Sequence, residues 1–324
     1  MNAVAHFLVD GVCAATLFGR LGNDPDLSML IMLYSTLAFS TQGLVGIIAD
    51  RVKRHLQADV LALITVAAGF FIPLPPLLTV IVVSVGNSVF HVAGGAMTLE
   101  DSGGEAGALG VFVAPGTIGL NIGTLWPASG LTMAIALFLC AAGLGVLGNR
   151  RTVRNRGDAR PNPPSALDAI ILLTLSVAVR AIGGIAVVFP WNITSGMAML
   201  LTLFVFAGKT TGGMMCDRIG VRLTVTASII PAALLIAFCS KWIIPSLIGQ
   251  FLLNLSMPVT LWLLYRAMPD SPGFAFGLAA SALWPGTLVG RMMTSQAMWV
   301  CVLVSFMFGL AAIVYSEKRI LYQE

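Results

Sequence analysis

Apolar runs recur along almost the whole chain and are separated by short polar breaks. A membrane span needs about twenty mostly apolar residues, and runs of this kind predict twelve transmembrane helices. They are expected near residues 3–19, 28–49, 57–73, 76–98, 107–126, 130–148, 168–190, 194–215, 221–239, 243–265, 273–291 and 296–315. If a short run such as 57–73 does not cross, the count is eleven or ten. The loops leave no room for a soluble domain, so the pattern predicts an all-α membrane protein.

The most polar stretch, Asn149 to Ser165, lies close to the middle of the chain. It reads NRRTVRNRGDARPNPPS, with five arginines and three prolines. A stretch with so little apolar surface cannot fold alone, which indicates a solvated linker. We therefore predict a six-helix bundle at residues 1–148, a basic linker at 149–167 and a second six-helix bundle at 168–324.

The composition agrees with a chain embedded in lipid. Of the 324 residues, 57% are hydrophobic and only 10% are charged, whereas soluble domains carry about 25% charged residues. The net charge of +4 does not indicate a nucleic-acid partner, because the basic residues lie in short loops. The five cysteines lie within or at the ends of apolar stretches, without CxxC or Cys/His spacing. We expect no disulfide framework, no metal site and no cofactor.

Lysine and arginine are distributed asymmetrically among the short loops. With the linker placed in the cytoplasm and the chain alternating, thirteen basic residues fall on the cytoplasmic side and three, Arg20, Lys241 and Arg291, on the other. Positive charge accumulates on the cytoplasmic side of membrane proteins. The asymmetry predicts a multi-pass protein of the plasma (inner) membrane with both termini in the cytoplasm.

Two short segments of the first half recur in the second. GIIADR, from Gly46, matches GMMCDR, from Gly213, at an offset of 167 residues, and APGTIG, from Ala114, matches WPGTLVG, from Trp284, at an offset of 170. Two matches in one order and at nearly one offset indicate a duplication. Because six spans is an even number, the copies enter the membrane in the same orientation, as two parallel six-helix repeats.

The repeated segments resemble a family signature. GIIADRVKR, from Gly46, is similar to the GxxxDRxGRR motif that follows the second span of the major facilitator superfamily. GMMCDRIGVR, from Gly213, also keeps the second glycine of the motif, where the first copy has Lys53. Within the superfamily, HFLVDG, from His6, and GNSVFHVAGG, from Gly86, resemble the first and fourth spans of the fosmidomycin-resistance-type exporters.

The resemblance implies roles for the repeated motif. In this superfamily, spans 1, 4, 7 and 10 line a central cavity, and the motif aspartate lies beside the amino end of the eleventh helix. That would pair Asp50 with the helix end near Phe274, and Asp217 with the end near Gly107, as conformational latches. A carboxylate is stabilised by the partial positive charge of a helix amino terminus. The remaining motif residues assigned to the latches are Gly46, Arg51, Gly213 and Arg218; the alternative is that Asp50 and Arg51 are ordinary loop charges.

Four ionisable residues lie at predicted membrane depth, where each charge costs about 2.5–3.5 kcal/mol. His6 and Asp10 are four residues apart on the first span, hence on one face, His91 lies in the fourth and Arg180 in the seventh. An offset of 170 also relates Asp10 to Arg180, which suggests opposite walls of one cavity.

These residues allow a functional and a structural interpretation. In the functional one, Arg180 receives an anionic group, with His91, Asn87 and Asp10 as further substrate-binding candidates. Asp10, His6 and His91 also handle a proton. A carboxylate in low dielectric and a histidine both exchange protons near neutral pH. In the structural one, Asp10 and Arg180 form a buried ion pair that only fixes packing, and His91 is a hydrogen-bonded packing residue.

The sequence as a whole predicts a secondary transporter that works by alternating access. The specific version is proton-coupled export of a small organic anion or amphipathic drug by a monomer, with lipid and protons as its other partners and no catalytic residues. Uptake by the same machinery stays open. The alternatives are an intramembrane enzyme acting on a lipid-like substrate, for which Glu100, Asp101 and Glu105 are poor magnesium ligands, and a transporter-like sensor.

Overall fold

The structure is a computed structural model of the chain and describes residues 1–148, 166–292 and 298–322. Those residues form twelve helices. In chain order they are α1 Asn2–Arg20, α2 Leu27–Val52, α3 His55–Phe71, α4 Pro76–Asp101, α5 Ala106–Leu125, α6 Pro127–Gly148, α7 Leu167–Ala186, α8 Ser195–Ile219, α9 Val221–Cys239, α10 Ile243–Ala267, α11 Pro272–Met292 and α12 Met298–Leu321. The prediction of an all-α, multi-pass membrane protein is confirmed.

Eleven of these described helices are long and apolar enough to cross a membrane, and α3 is the shorter exception. It has 17 residues. At 1.5 Å per residue it covers about 25 Å of a hydrocarbon core about 30 Å thick. The helix that falls short is the run at 57–73 that the sequence marked as uncertain.

The turn after the repeated motif explains where α2 and α8 end. Gly220 separates α8 from α9 with a φ of 81°, and Lys53 ends α2 in the left-handed region with a φ of 54°. The two positions are 167 residues apart, so they are equivalent in the two copies. Glycine adopts a positive φ at no steric cost, whereas a residue with a Cβ in the left-handed region is strained by about 1–2 kcal/mol. The two turns are not identical, because ψ is 34° at Lys53 and 167° at Gly220. Lys53 therefore keeps the positive φ, at a cost in backbone energy.

The chain divides into two compact units. The first contains Met1–Asp101, Phe112–Asn155 and Ser271–Ala280, and the second contains Ser102–Val111, Arg156–Asp270 and Ser281–Glu324. Each unit is therefore mostly one half of the sequence, with the first turns of one helix from the other half. Those turns begin α11 in the first unit and α5 in the second. Residues 149–165 of the predicted linker lie outside the described residues, and the boundary at 149–167 stays a prediction.

Candidate functional site

The carboxylate of Asp10 in α1 is surrounded by two histidines and an amide. His6, one turn earlier, places Nε2 3.3 Å from Oδ2. From α4, His91 places Nε2 3.6 Å from Oδ1, and Asn87 donates a hydrogen bond of 3.2 Å to Oδ1. These four residues, here called the Asp10 cluster, all belong to the first unit. The structure thus brings together the candidates that the sequence had placed on two separate spans.

The cluster is almost closed to solvent. His6, Asn87 and His91 are 5%, 1% and 8% exposed, and the side chain of Asp10 is 18% exposed. The rings of Phe90 and Phe112 pack against His6 with centroid distances of 5.8 and 4.9 Å. Removing a carboxylate from water is costly unless it is paired and hydrogen-bonded, so the partners around Asp10 are needed to keep it ionised.

Both histidine rings are oriented by main-chain carbonyls. Nδ1 of His6 donates to the carbonyl oxygen of Phe112 at 2.8 Å, and Nδ1 of His91 donates to that of Asn87 at 2.9 Å. A carbonyl oxygen only accepts, so each Nδ1 carries the proton in the neutral ring. Each Nε2 is consequently the atom turned toward Asp10, and it bears a proton only when the ring is cationic.

The side-chain amide oxygen of Asn87 is a buried polar atom. It has no hydrogen-bond partner among the described residues. Buried polar atoms without a partner are uncommon. Asn87 therefore has an acceptor available for a ligand beside the carboxylate that its amide nitrogen already holds.

Arg180 in α7 belongs to the second unit and lines a small cleft with hydroxyl groups. Its Nη1 donates a hydrogen bond of 3.1 Å to Oγ of Ser256, and Ser176, Thr260 and Ser305 also line the cleft. The described residues of this lining include no carboxylate. Because guanidinium stays protonated even when buried, the cleft combines a positive charge with neutral hydroxyl groups.

Asp50 and Asp217 make the same contact in the two units. Asp50, near the end of α2, accepts hydrogen bonds from the backbone N–H groups of Gly273 and Phe274 at 2.8 and 2.7 Å. Asp217, near the end of α8, accepts from those of Ala106 and Gly107 at 2.8 and 2.7 Å. These partners begin α11 and α5, where N–H groups lack intrahelical acceptors and the helix dipole favours an anion. The six residues can be called the two aspartate latches, although their conformational role stays a prediction.

The motif glycines make these contacts sterically possible. A Cβ on Gly46 would overlap the carbonyl oxygen of Gly273 and lie 2.7 Å from Cα of Phe274. A Cβ on Gly213 would overlap the carbonyl oxygen of Ala106 and lie 2.8 Å from Cα of Gly107. Real Cβ atoms do not approach backbone so closely, so only glycine lets these helix ends meet.

The two motif arginines, unlike the motif aspartates, are not placed at the helix amino termini by the contacts described above. Arg51 and Arg218 are exposed, whereas Asp50 and Asp217 accept hydrogen bonds from backbone N–H groups. The geometry therefore gives the latch contacts to the glycines and aspartates, and the arginines' assignment to the latches stays a prediction.

His55 is a residue that sequence reasoning missed. At the start of α3, it places Nε2 3.8 Å from Oδ1 of Asp50 and Nδ1 3.4 Å from Oε2 of Glu100. It is 9% exposed. It thus joins the first latch to the end of α4, a contact that no local spacing could show because Glu100 is 45 residues away.

The twelve described helices superpose on solved transporters of the major facilitator fold. No protein-family model matches the sequence, and no curated protein sequence matches it. Among solved structures, a major facilitator superfamily transporter, FucP, in the outward conformation superposes with a TM-score of 0.65 at 12% identity, over 98% of this chain and 97% of that chain. The E. coli fucose:proton symporter FucP gives the same values.

A third solved structure extends the comparison. A bacterial homologue of the iron transporter ferroportin, in an outward-facing state, has a TM-score of 0.61 and 16% identity over 98% of both chains. These likenesses establish the fold. The closer resemblance to the fosmidomycin-resistance-type exporters stays a prediction.

Proposed function

We propose that this chain is a secondary transporter that works by alternating access and couples to protons. Its substrate is a small organic anion or amphipathic drug, moved outward. The observation that carries the proposal is the Asp10 cluster, a carboxylate between two histidines on helices of a transporter fold. The protein acts as a monomer, without catalytic residues or a cofactor.

The cost of burying these groups supports a role in coupling. A charge at membrane depth costs about 2.5–3.5 kcal/mol, and only 10% of this chain is charged. Imidazole changes charge near physiological pH, and both Nε2 atoms face the carboxylate that would share the proton. Proton arrival and departure therefore change the charge of the cluster, which is what coupling to a proton gradient requires.

The cleft around Arg180 supports an anionic substrate. A planar guanidinium grips a carboxylate or phosphonate through two parallel hydrogen bonds. Serine and threonine hydroxyls in the same cleft can add neutral donors. Export rather than uptake rests on the resemblance of the His6 and Gly86 segments to exporters.

An intramembrane enzyme is less well supported. Such an enzyme would use carboxylates such as Glu100, Asp101 and Glu105 to hold magnesium at the membrane face. Glu100 instead contacts His55, and the described groups with metal-binding spacing do not include this acidic turn. A sensor would bind its ligand at the same site but would not transport it across the membrane.

Flux in proteoliposomes tests the proposal. With a pH-sensitive dye inside, a panel of organic anions and amphipathic drugs is added with and without an imposed pH gradient. Transport predicts that one compound moves with the gradient and dissipates it. Saturable binding of that compound without flux would favour the sensor, and its chemical conversion would favour the enzyme.

Replacing Arg180 by Ala is expected to weaken anion binding by about 10- to 150-fold, because a charge-assisted hydrogen bond contributes about 1.5–3 kcal/mol. The anion affinity of Arg180→Lys should lie between those of the wild type and Arg180→Ala, because a single ammonium charge replaces a planar guanidinium that can make two parallel hydrogen bonds. Calorimetry with purified protein measures both. Arg291→Ala, which removes an exposed arginine, is the control, and wild-type affinity in Arg180→Ala would make Arg180 a packing residue.

The proposed topology predicts opposite labelling of two loops. In a background without native cysteines, Ile193→Cys, in a loop residue that is 81% exposed, should react with an impermeant maleimide on whole cells. Asp101→Cys, at the end of α4, should react only after the membrane is opened. The reverse pattern would place the termini outside.

A further inference from the structure

Three ligand atoms of the Asp10 cluster have the arrangement of a metal site. His6, His91 and Asp10 each offer one ligand atom, an imidazole nitrogen or a carboxylate oxygen, and these three atoms lie within 4.8 Å of one another. We propose that they bind one divalent transition-metal ion of the zinc or cobalt type. This revises the expectation from the sequence that no metal site exists, and it goes beyond the proposed function because binding does not depend on transport.

The distances suit a tetrahedral ion. Such ions bind nitrogen and oxygen at about 2.0–2.2 Å, which separates neighbouring ligand atoms by about 3.3–3.6 Å. Nε2 of His6 lies 3.3 Å from Oδ2 of Asp10, and Nε2 of His91 lies 3.6 Å from Oδ1, the other carboxylate oxygen. Each nitrogen–oxygen pair thus has the spacing of neighbouring ligands, and an ion can bind through one or both oxygens with small adjustments of these side chains.

The histidine tautomers leave lone pairs facing the carboxylate. Since each Nδ1 donates to a main-chain carbonyl, each neutral ring turns the lone pair of Nε2 toward an oxygen that also only accepts. Two such contacts are repulsive unless a cation lies between them, either a proton or a metal ion. Hydrogen bonds from the far ring nitrogen to carbonyls are also the usual way of orienting metal-bound histidines.

The donor set selects the class of ion. Imidazole and carboxylate together suit zinc, cobalt, nickel and iron, whereas magnesium and calcium prefer oxygen alone. Three protein ligands leave a fourth position for water or for an oxygen of an anionic substrate. The burial of both histidines keeps bulk water from competing at the other positions.

Gly116 keeps the space beside these ligands open. A Cβ at this position of α5 would overlap Nε2 of His6 and Oδ2 of Asp10. Gly116→Ala should therefore block the metal without removing any ligand. Gly145, in α6 of the same unit, has nothing within 4 Å of an added Cβ, so Gly145→Ala is a matched control.

Cobalt binding to the purified, chelator-treated protein tests the proposal. The protein carries no polyhistidine tag, and Co²⁺ is titrated while its visible absorption and the bound stoichiometry are followed. We expect one ion per chain, with the absorption of nitrogen and oxygen ligation. His91→Ala and Gly116→Ala should each weaken binding by about 10- to 100-fold, with monodispersity showing that they fold.

His55→Gln gives the second control, because the chain has three histidines and His55 is the one outside the cluster. Wild-type affinity in His91→Ala and Gly116→Ala, or no Co²⁺ binding by the wild type, would overturn the proposal. Metal binding is measured without flux, so its failure leaves proton-coupled transport standing. Absence of flux from a protein that binds Co²⁺ would count against the transporter instead.

Discussion

Replacing Asp10 by Asn is expected to abolish transport driven by a proton gradient. The amide cannot take up or release a proton at physiological pH, and it removes the negative charge that His6 and His91 face. A gradient of one pH unit can sustain about a tenfold substrate gradient for one coupled proton, and the mutant should sustain none. Exchange of one substrate molecule for another needs no net proton movement and should survive.

Proteoliposomes measure both activities on one preparation. Retained exchange shows that Asp10→Asn is folded and binds substrate, so the loss of driven transport is then specific. Asp26→Asn makes the same chemical change at a loop residue beside α2, whose side chain makes no cap hydrogen bond, and should behave as wild type. A mutant that still moves substrate against its gradient would remove Asp10 from the coupling step.

Much of the fold follows from the spacing of apolar residues. Twenty-residue apolar runs have few alternatives to membrane helices, which is why the predicted spans and the observed helices agree within a few residues at most ends. The backbone conformation of the turns is harder to predict from the sequence. The left-handed backbone at Lys53 occurs at a residue type with no local preference for it, and its only sequence signal is the glycine that the motif has at this position.

The candidate site was predictable only in part. The spacing of His6 and Asp10 places them on one helical face, so that pair could be found from the sequence. The approach of His91 and Asn87 depends on how α4 packs against α1, and the carbonyl of Phe112 that orients His6 comes from α5. Ser256 and the hydroxyls beside Arg180 are likewise gathered from separate helices, which no local pattern reveals.

Glycine contacts refine the internal repeat. Gly119 in α5 meets the carbonyl oxygen of Phe7, and Gly286 in α11 meets that of Ala178. The glycines are 167 residues apart and their partners 171, whereas the sequence match from Ala114 and Trp284 pairs Gly286 with Gly116 at an offset of 170. The contacts therefore correct the alignment of α5 with α11 by three residues. By the partners' offset of 171, Arg180 corresponds to the residue before Asp10, about 100° around the helix. Asp10 and Arg180 therefore occupy neighbouring positions in the two copies and not the same position. The short sequence matches could not separate these two cases.

Asp50→Asn and Asp217→Asn are each expected to shift the balance between outward- and inward-facing states. Each aspartate accepts two charge-assisted hydrogen bonds at a helix amino terminus. An amide loses the charge and one acceptor, so we expect a loss of about 2 kcal/mol, or about a thirtyfold change in the ratio of states. Distance distributions between spin labels at Ile72 and Ile193 report that ratio.

The glycines provide an independent way to break the same contacts. Gly213→Ala leaves Asp217 intact but pushes the start of α5 away from the end of α8, and should shift the distances in the same direction as Asp217→Asn. Gly184→Ala is the matched control, because an added Cβ there meets nothing within 4 Å.

If both aspartate variants and Gly213→Ala kept the wild-type distributions, the contacts would be packing between helix ends. If only the charge change acted, the carboxylate would matter through the helix dipole, which does not require close approach. A shift in all three variants would show that both the carboxylate charge and the close approach of the helix ends contribute to the balance between the two states.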